Sequence, residues 1–326
     1  MAKNCIRYKY NDKIDWGLIH LNKIFPLHLE NGSTSDLINL VWKKDTSSYL
    51  KGDGIQKESV EVLEPITKPC NIICQGANYV QHMIDSGLDP NDKTFNIFFS
   101  KTTASLYPAR GSIKVPHFIE LLDYEIELGL VFGKPMNHDT KWKESELPDF
   151  IAGFVMANDL SARDIQLPQL QWMKGKSYRG FCPTGPYLSI LESGDFELLE
   201  QLELNLAVND RLRQHDVCNN LIYKPFETIQ ELVQFCDLEV GDLLLTGTPS
   251  GCALRVPGKW MQRFAAMLPE KTKWKLFIKK QSQNGMYLKQ GDRITSSIRT
   301  PDRNIDLGDQ ELTLEWETRP KSKGIN

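Results

Sequence analysis

The residues best placed to do chemistry are carboxylates set in an apolar stretch. Residues 121–133 read LLDYEIELGLVFG, the branched and aromatic composition of a strand. Side chains alternate along a strand, so Glu125, Glu127 and Gly129 share one face, and Tyr124, Ile126, Leu128 and Leu130 the other. The two carboxylates then stand about 7 Å apart. Leu121, Leu122, Leu130, Val131 and Phe132 flank them, which predicts a strand buried on both sides. Buried like charges repel and lose hydration, so they call for a bound cation, a basic partner or a proton. An edge strand with a wet face is the alternative this stretch leaves open by itself.

A third carboxylate, Asp159, follows the apolar run FIAGFVMA at 150–157. Glu125, Glu127 and Asp159 would make a hard, anionic ligand set free of Cys and His. Such a set suits Mg2+ or Mn2+, with Ca2+ as a further choice, better than Zn2+. Ser161, in SARD, reads as the cap of a short helix. On that helix Arg163 and Gln166 share the face of Asp159, and a guanidinium is the natural clamp for a substrate carboxylate. The plainer reading of Arg163 is a structural pair with Asp164 or Asp123. His82 and Asp85 would be i,i+3 neighbours on a helix, where the carboxylate can orient the imidazole as a general base. Thr248 lies in LLLTGTPSG, where Gly247 and Gly251 let the backbone approach a ligand. Lys176 reads by itself as a surface residue in a loop with Lys174 and Arg179. Lys101, ending an apolar run, could reach the site, but is expected to tip toward solvent.

Five segments together are more specific than any one of them. CQGANYVQH at 74–82, DYEIELGLVFG at 123–133, ANDLSARDIQ at 157–166, WMKGKSYRGFCPTGP at 172–186 and GDLLLTGTPSG at 241–251 resemble the fumarylacetoacetate hydrolase superfamily, in the family's order, over about residues 70–310. The resemblance implies a β-rich α+β fold, a mixed β-roll or sandwich around a divalent metal, acting on small 2-oxo or 1,3-dioxo acids. It places an active-site lysine at Lys176 and a His–Glu lid dyad at His82 and Asp85. Here the second member is an Asp, one methylene shorter. The implied activity is metal-dependent hydrolysis of a carbon–carbon bond in an acylpyruvate or 1,3-dioxo acid, as in aromatic catabolism. His82 would activate water, Lys176 and Thr248 would steady developing charge, and Arg163 and Gln166 would hold the carboxylate end. A decarboxylase, isomerase or dehydratase of a 2-oxo acid is the alternative, and a non-catalytic oxo-acid-binding protein the alternative from another class.

These groups need a scaffold. Residues 1–65 read as a small β-rich domain, which the resemblance implies is accessory and helps pair subunits into a homodimer, and 66–326 as the catalytic domain. Short strands are expected near residues 8–10, 16–20 and 23–27, then a brief helix after residue 36. Further along come a hairpin around Asn209-Asp210, a helix over 228–236 and closing strands at 294–298 and 312–316. Residues 86–95 have the Gly, Pro and polar content of a lid loop, and 166–187 reads as loop-rich. An insert at about 253–287 departs from the family. It carries a helix candidate with Trp260, Phe264, Met267 and Leu268 on one face, then KWKLFIKK, and reads as an arm over the site or at a subunit interface.

The 326 residues, 40% of them hydrophobic, can bury one large core. A formal charge of −3 gives no argument for nucleic acid. No apolar run approaches membrane-spanning length, and the first fifteen residues have no apolar signal core. Seven scattered cysteines read as free thiols of a cytoplasmic protein.

Overall fold

The structure is a computed structural model that describes residues 2–85, 95–192, 194–255 and 267–319. The chain opens with β1 (Lys3–Tyr10), β2 (Lys13–His20) and β3 (Lys23–Pro26). Both connecting turns, Asn11-Asp12 and Leu21-Asn22, have positive φ at both positions, the geometry that matches the twist of a tight hairpin. Helix α1 (Thr34–Val41) is capped reciprocally: the Ser33 side chain accepts from the Asp36 N–H, and Asp36 accepts from the Ser33 N–H at 2.9 Å. Short strands β4 (Ile55–Gln56) and β5 (Glu61–Leu63) follow.

Next come β6 (Ile72–Gly76), α2 (Val80–Asp85), β7 (Ile97–Lys101), β8 (Leu106–Tyr107), β9 (Arg110–Val115), β10 (Leu122–Asp123) and β11 (Ile126–Phe132). After them lie β12 (Ile151–Asn158), β13 (Ser161–Ala162), α3 (Arg163–Gln169), α4 (Trp172–Lys176) and β14 (Cys182–Ile190). The last elements are β15 (Glu203–Val208), β16 (Arg211–Val217), α5 (Pro225–Leu232), β17 (Leu243–Leu245), α6 (Glu270–Gln281), β18 (Arg293–Arg299) and β19 (Asp306–Trp316).

The large sheet runs β4-β3-β2-β1-β14-β12-β11-β17-β6-β7, and a second sheet runs β16-β15-β18-β19-β9. Leu204, Leu206, Ile294, Ile298, Leu312 and Leu314 of the second sheet share one core with Leu128, Leu130, Phe154 and Met156 of the first. Two sheets packed over a common apolar layer give the β-rich α+β architecture. Strands β11 and β12 are buried along their whole length, as the flanking apolar residues predict for β11, and the wet-edge alternative is set aside.

The N-terminal strands do not form a separate sheet. β1 pairs with β14 in antiparallel register from Lys3↔Ile190 to Ile6↔Tyr187, and Trp16, Leu37 and Ile38 pack in one cluster with Val131, Val155, Leu188 and Leu243. Strand β14 has no clear signal in CPTGPYLSI, because two prolines and a glycine obscure it. Ser161 is not a helix cap. It pairs with Asp123 in the β10–β13 ladder, and Ala162 occupies the cap position without a side-chain bond. The insert helix predicted around Trp260 lies mostly outside the described residues, and KWKLFIKK falls within α6. Among the described residues no helix is long and apolar enough to cross a membrane.

Candidate metal centre

The site gathers at one end of the central strands. The start of β11, the end of β12 and the ends of β17 and β6 all meet there, because β11 runs antiparallel to β12 and β17, and β6 runs parallel to β17. Glu127 lies in β11, Glu125 just before it and Asp159 just after β12, each buried. One oxygen from each lies within 4.8 Å of the others. The Asp159 N–H donates to the Glu125 carbonyl at 2.7 Å, so the two loops that carry these ligands are tied together by backbone.

Cations surround the carboxylates. Lys176 donates to Glu125 at 2.5 Å and also to Asp159. Lys101 donates to Asp159 at 2.5 Å and to the Lys176 carbonyl. It is buried, so the expectation that it tips toward solvent is corrected: Lys101 reaches the site from the far end of β7 and holds both Asp159 and the backbone of Lys176. Lys176 is placed by the contact of α4 with α3. A Cβ added at Gly175 would stand 2.6 Å from the Gln166 Cβ, so glycine permits this approach.

Arg163 is a brace. Its Nε donates to Asp123 at 2.9 Å, Nη1 donates to the Gln166 carboxamide oxygen at 2.9 Å, and Nη2 donates to Glu125. Of the two expectations for Arg163, the pair with Asp123 is the one seen. The guanidinium is engaged by protein oxygens, the Gln166 carboxamide oxygen among them. Asp123 also accepts from the N–H groups of Tyr124 at 2.9 Å, Ala253 at 2.7 Å and Leu254 at 3.1 Å. The Thr248 hydroxyl is likewise engaged, donating to the Ile126 carbonyl at 2.9 Å and accepting from Gln214 at 2.8 Å. That corrects its reading as a ligand donor. The backbone beside it does turn inward: Gly247, at φ +90°, donates its N–H to Glu127 at 3.0 Å. A Cβ there would stand 2.9 Å from the Asn78 Cβ.

Four carboxylates (Asp123, Glu125, Glu127, Asp159) face three cations (Lys101, Arg163, Lys176), leaving one excess negative charge. Glu127 carries it. Among the described residues its hydrogen-bond partner is Gly247 alone, and burial, then Asp159 and Glu125, push its carboxyl well above the usual range. Burial works against the charge of Lys176, yet Asp159 and Glu125 outweigh it and hold the ammonium above the ordinary lysine range. Burial, then Asp123 and Glu125, keep the Cys252 thiol protonated. A buried all-oxygen triad with uncompensated charge fits a hard divalent cation.

A cavity of about 280 Å³ opens on Glu125 and Glu127, lined also by Gln75, Gly76, Ala77, Phe99, Trp172 and Thr248. Helix α2 begins three residues beyond Ala77. The side chains of His82 and Asp85 lie outside the described residues, as does most of the expected lid loop.

A sequence model of the fumarylacetoacetate hydrolase C-terminal family matches residues 71–314. The chain belongs to the fumarylacetoacetate hydrolase family. A mitochondrial oxaloacetate tautomerase of Rattus norvegicus is 33% identical over 201 residues, 61% of this chain and 62% of that protein. An oxaloacetate tautomerase of Bacillus subtilis is 33% identical over 213 residues, 64% and 69% of the two chains. The match thus spans about three fifths of the rat relative. Among solved structures, a probable 2-hydroxyhepta-2,4-diene-1,7-dioate isomerase of Mycobacterium abscessus superposes with a TM-score of 0.71 at 26% identity, covering 98% of this chain and all of that one. These relatives are enzymes by their names, and the chain shares the fold of the solved one.

Proposed function

We propose that this chain is a divalent-metal-dependent enzyme that moves a proton on a small 2-oxo acid, interconverting keto and enol forms or double-bond isomers. The observation that carries the reading is the Lys176 ammonium set between Glu125 and Asp159 at the wall of a small cavity. The names of the tautomerase and isomerase relatives support it over carbon–carbon hydrolysis. Glu125, Glu127 and Asp159 would hold Mg2+ or Mn2+, with Ca2+ a further choice. The bound ion would supply Lewis acidity to the oxo group and raise the acidity of the neighbouring C–H.

The chain's own residues do the rest. One excess carboxylate charge becomes one excess positive charge once a divalent cation is present, which suits an anionic acid. Lys176 is aimed at this region and can donate to an oxygen as negative charge develops on it. Lys101 and Arg163 keep Asp159 and Glu125 from turning away, so the donor stays in place. The base that removes and returns the proton is assigned, from the resemblance, to His82 of α2, with Asp85 as the carboxylate that would orient it. Keto–enol exchange needs a base and an acid but no nucleophilic water, so the buried setting favours it.

The test is deuterium wash-in at C3 of oxaloacetate and other 2-oxo acids by NMR, with and without Mg2+ or Mn2+. Metal-dependent exchange faster than in buffer, without carbon–carbon cleavage, is expected. Cleavage of an acylpyruvate instead would restore the hydrolase reading. Binding without exchange or cleavage would make the chain an oxo-acid-binding protein.

A further inference from the structure

The cavity has a direction. Lys176 is buried against Glu125 and Asp159, and its Nζ lies 4.8 Å from the centre of the Phe99 ring. Phe99 meets Trp172 at 5.2 Å between ring centres, and Trp172 is 36% exposed. Carboxylate, ammonium, Phe99 and Trp172 therefore form a series from the buried interior to the surface. Ile97 and Leu167 line the same cavity, as does Leu254.

Leu254 comes from the stretch where this sequence departs from the family. Its N–H and that of Ala253 donate to Asp123, which also accepts from Arg163. From the other side, Asn284 donates to the Ala253 carbonyl at 2.7 Å, and Gln281 of α6 donates to the Arg255 carbonyl at 2.8 Å. The inserted helix thus clamps the loop that presents Leu254. The cations that line the cavity, Arg163 and Lys176, already face carboxylates.

We infer that the outer part of this cavity selects 2-oxo acids whose substituent beyond the oxo group is apolar, aliphatic or aromatic, over those ending in a second carboxylate. This rests on the proposed function for the head group. A second carboxylate placed among Phe99, Trp172, Ile97, Leu167 and Leu254 would lose hydration, and among the described residues that line the cavity no further cation meets it, whereas an apolar group gains by leaving water.

The experiment measures binding and turnover separately. Calorimetry on the Mg2+-loaded full chain gives dissociation constants for phenylpyruvate, 4-methyl-2-oxopentanoate and oxaloacetate, and C3 deuterium exchange is followed on the same acids. At least one apolar acid should bind about tenfold more tightly than oxaloacetate, on the scale that a few apolar groups contribute to discrimination. Trp172→Ala and Leu254→Ala should each reduce that ratio several-fold, and Leu254→Lys should move it toward oxaloacetate. Melting curves confirm that each variant is folded, and the wild-type ratio is decisive without any variant. Oxaloacetate binding as tightly as both apolar acids, or tighter, overturns the inference whatever the turnover. If the apolar acid is preferred but no bound acid exchanges its C3 proton, selectivity stands and the tautomerase reading falls.

Discussion

Arg163→Met removes the guanidinium at nearly constant volume and separates a brace from a substrate clamp. The wild-type side chain is buried and answers Asp123, Glu125 and Gln166. Removing one partner of a buried ion pair typically costs about 3–5 kcal/mol, because the other charge stays buried. Here both orphaned carboxylates keep partners. Asp123 retains three backbone N–H groups at 2.7–3.1 Å, and Glu125 retains Lys176. The lower end, about 3 kcal/mol, is therefore expected. At about 2.1 cal/mol/K per residue the unfolding entropy of the whole chain is about 0.7 kcal/mol/K, so Tm should fall by about 4 °C. Arg163→Lys, which reaches one carboxylate and not two, should recover part of this. The assay is thermal unfolding by circular dichroism in chelator, with KM for the best 2-oxo acid measured in parallel. A melting curve that coincides with wild type, together with a raised KM, would show that Arg163 meets substrate and not Asp123.

The other expectations concern metal, base and insert. Saturating divalent cation, at about 100 times its Kd, should stabilise the chelator-treated protein by about 2.7 kcal/mol; Glu127→Gln should remove most of that gain, and a melting curve indifferent to Mg2+ and Mn2+ in the wild type would argue against the site. His82→Ala should lower C3 exchange by about 10²–10⁴-fold while the metal-induced rise in Tm stays as in wild type; unchanged exchange would remove His82 as the base. Asp85→Glu should retain or improve exchange and Asp85→Ala should reduce it, as steady-state rates at equal metal saturation will show. Asn284→Ala, which frees the Ala253 carbonyl, should weaken binding of apolar acids several-fold; equal affinity in calorimetry would mean that α6 does not position the cavity wall.

Much of the metal centre was legible in the sequence because it is locally encoded. The alternation around Glu125 and Glu127 and the apolar run before Asp159 announce strands that carry charge, and the apolar flanks favour burial over the wet edge that the stretch by itself leaves open. The hairpins at Asn11-Asp12 and Asn209-Asp210 were equally readable, since turn residues act within four positions. Sequence by itself therefore determined the strand that carries Glu125 and Glu127, the apolar run that ends at Asp159 and, through the order of its motifs, the family.

Tertiary structure decided the partners. Lys101 meets Asp159 across 58 positions, and Arg163 meets Asp123 across 40; no periodicity reports such a pairing, so Lys101 looked solvated and Arg163 stayed divided between a substrate clamp and a structural pair. Register decided the N-terminal strands, because β1 finds β14 rather than an edge of its own, and that choice depends on which edge remains open after the rest has paired. The insert shows the same limit. Its sequence marks a helix around Trp260 that lies mostly outside the described residues, and only packing shows that Gln281 of α6 and Asn284 hold the loop bearing Leu254. Local pattern specifies an element and its buried face, whereas the charge balance of a site is a property of chain segments that meet only when folded.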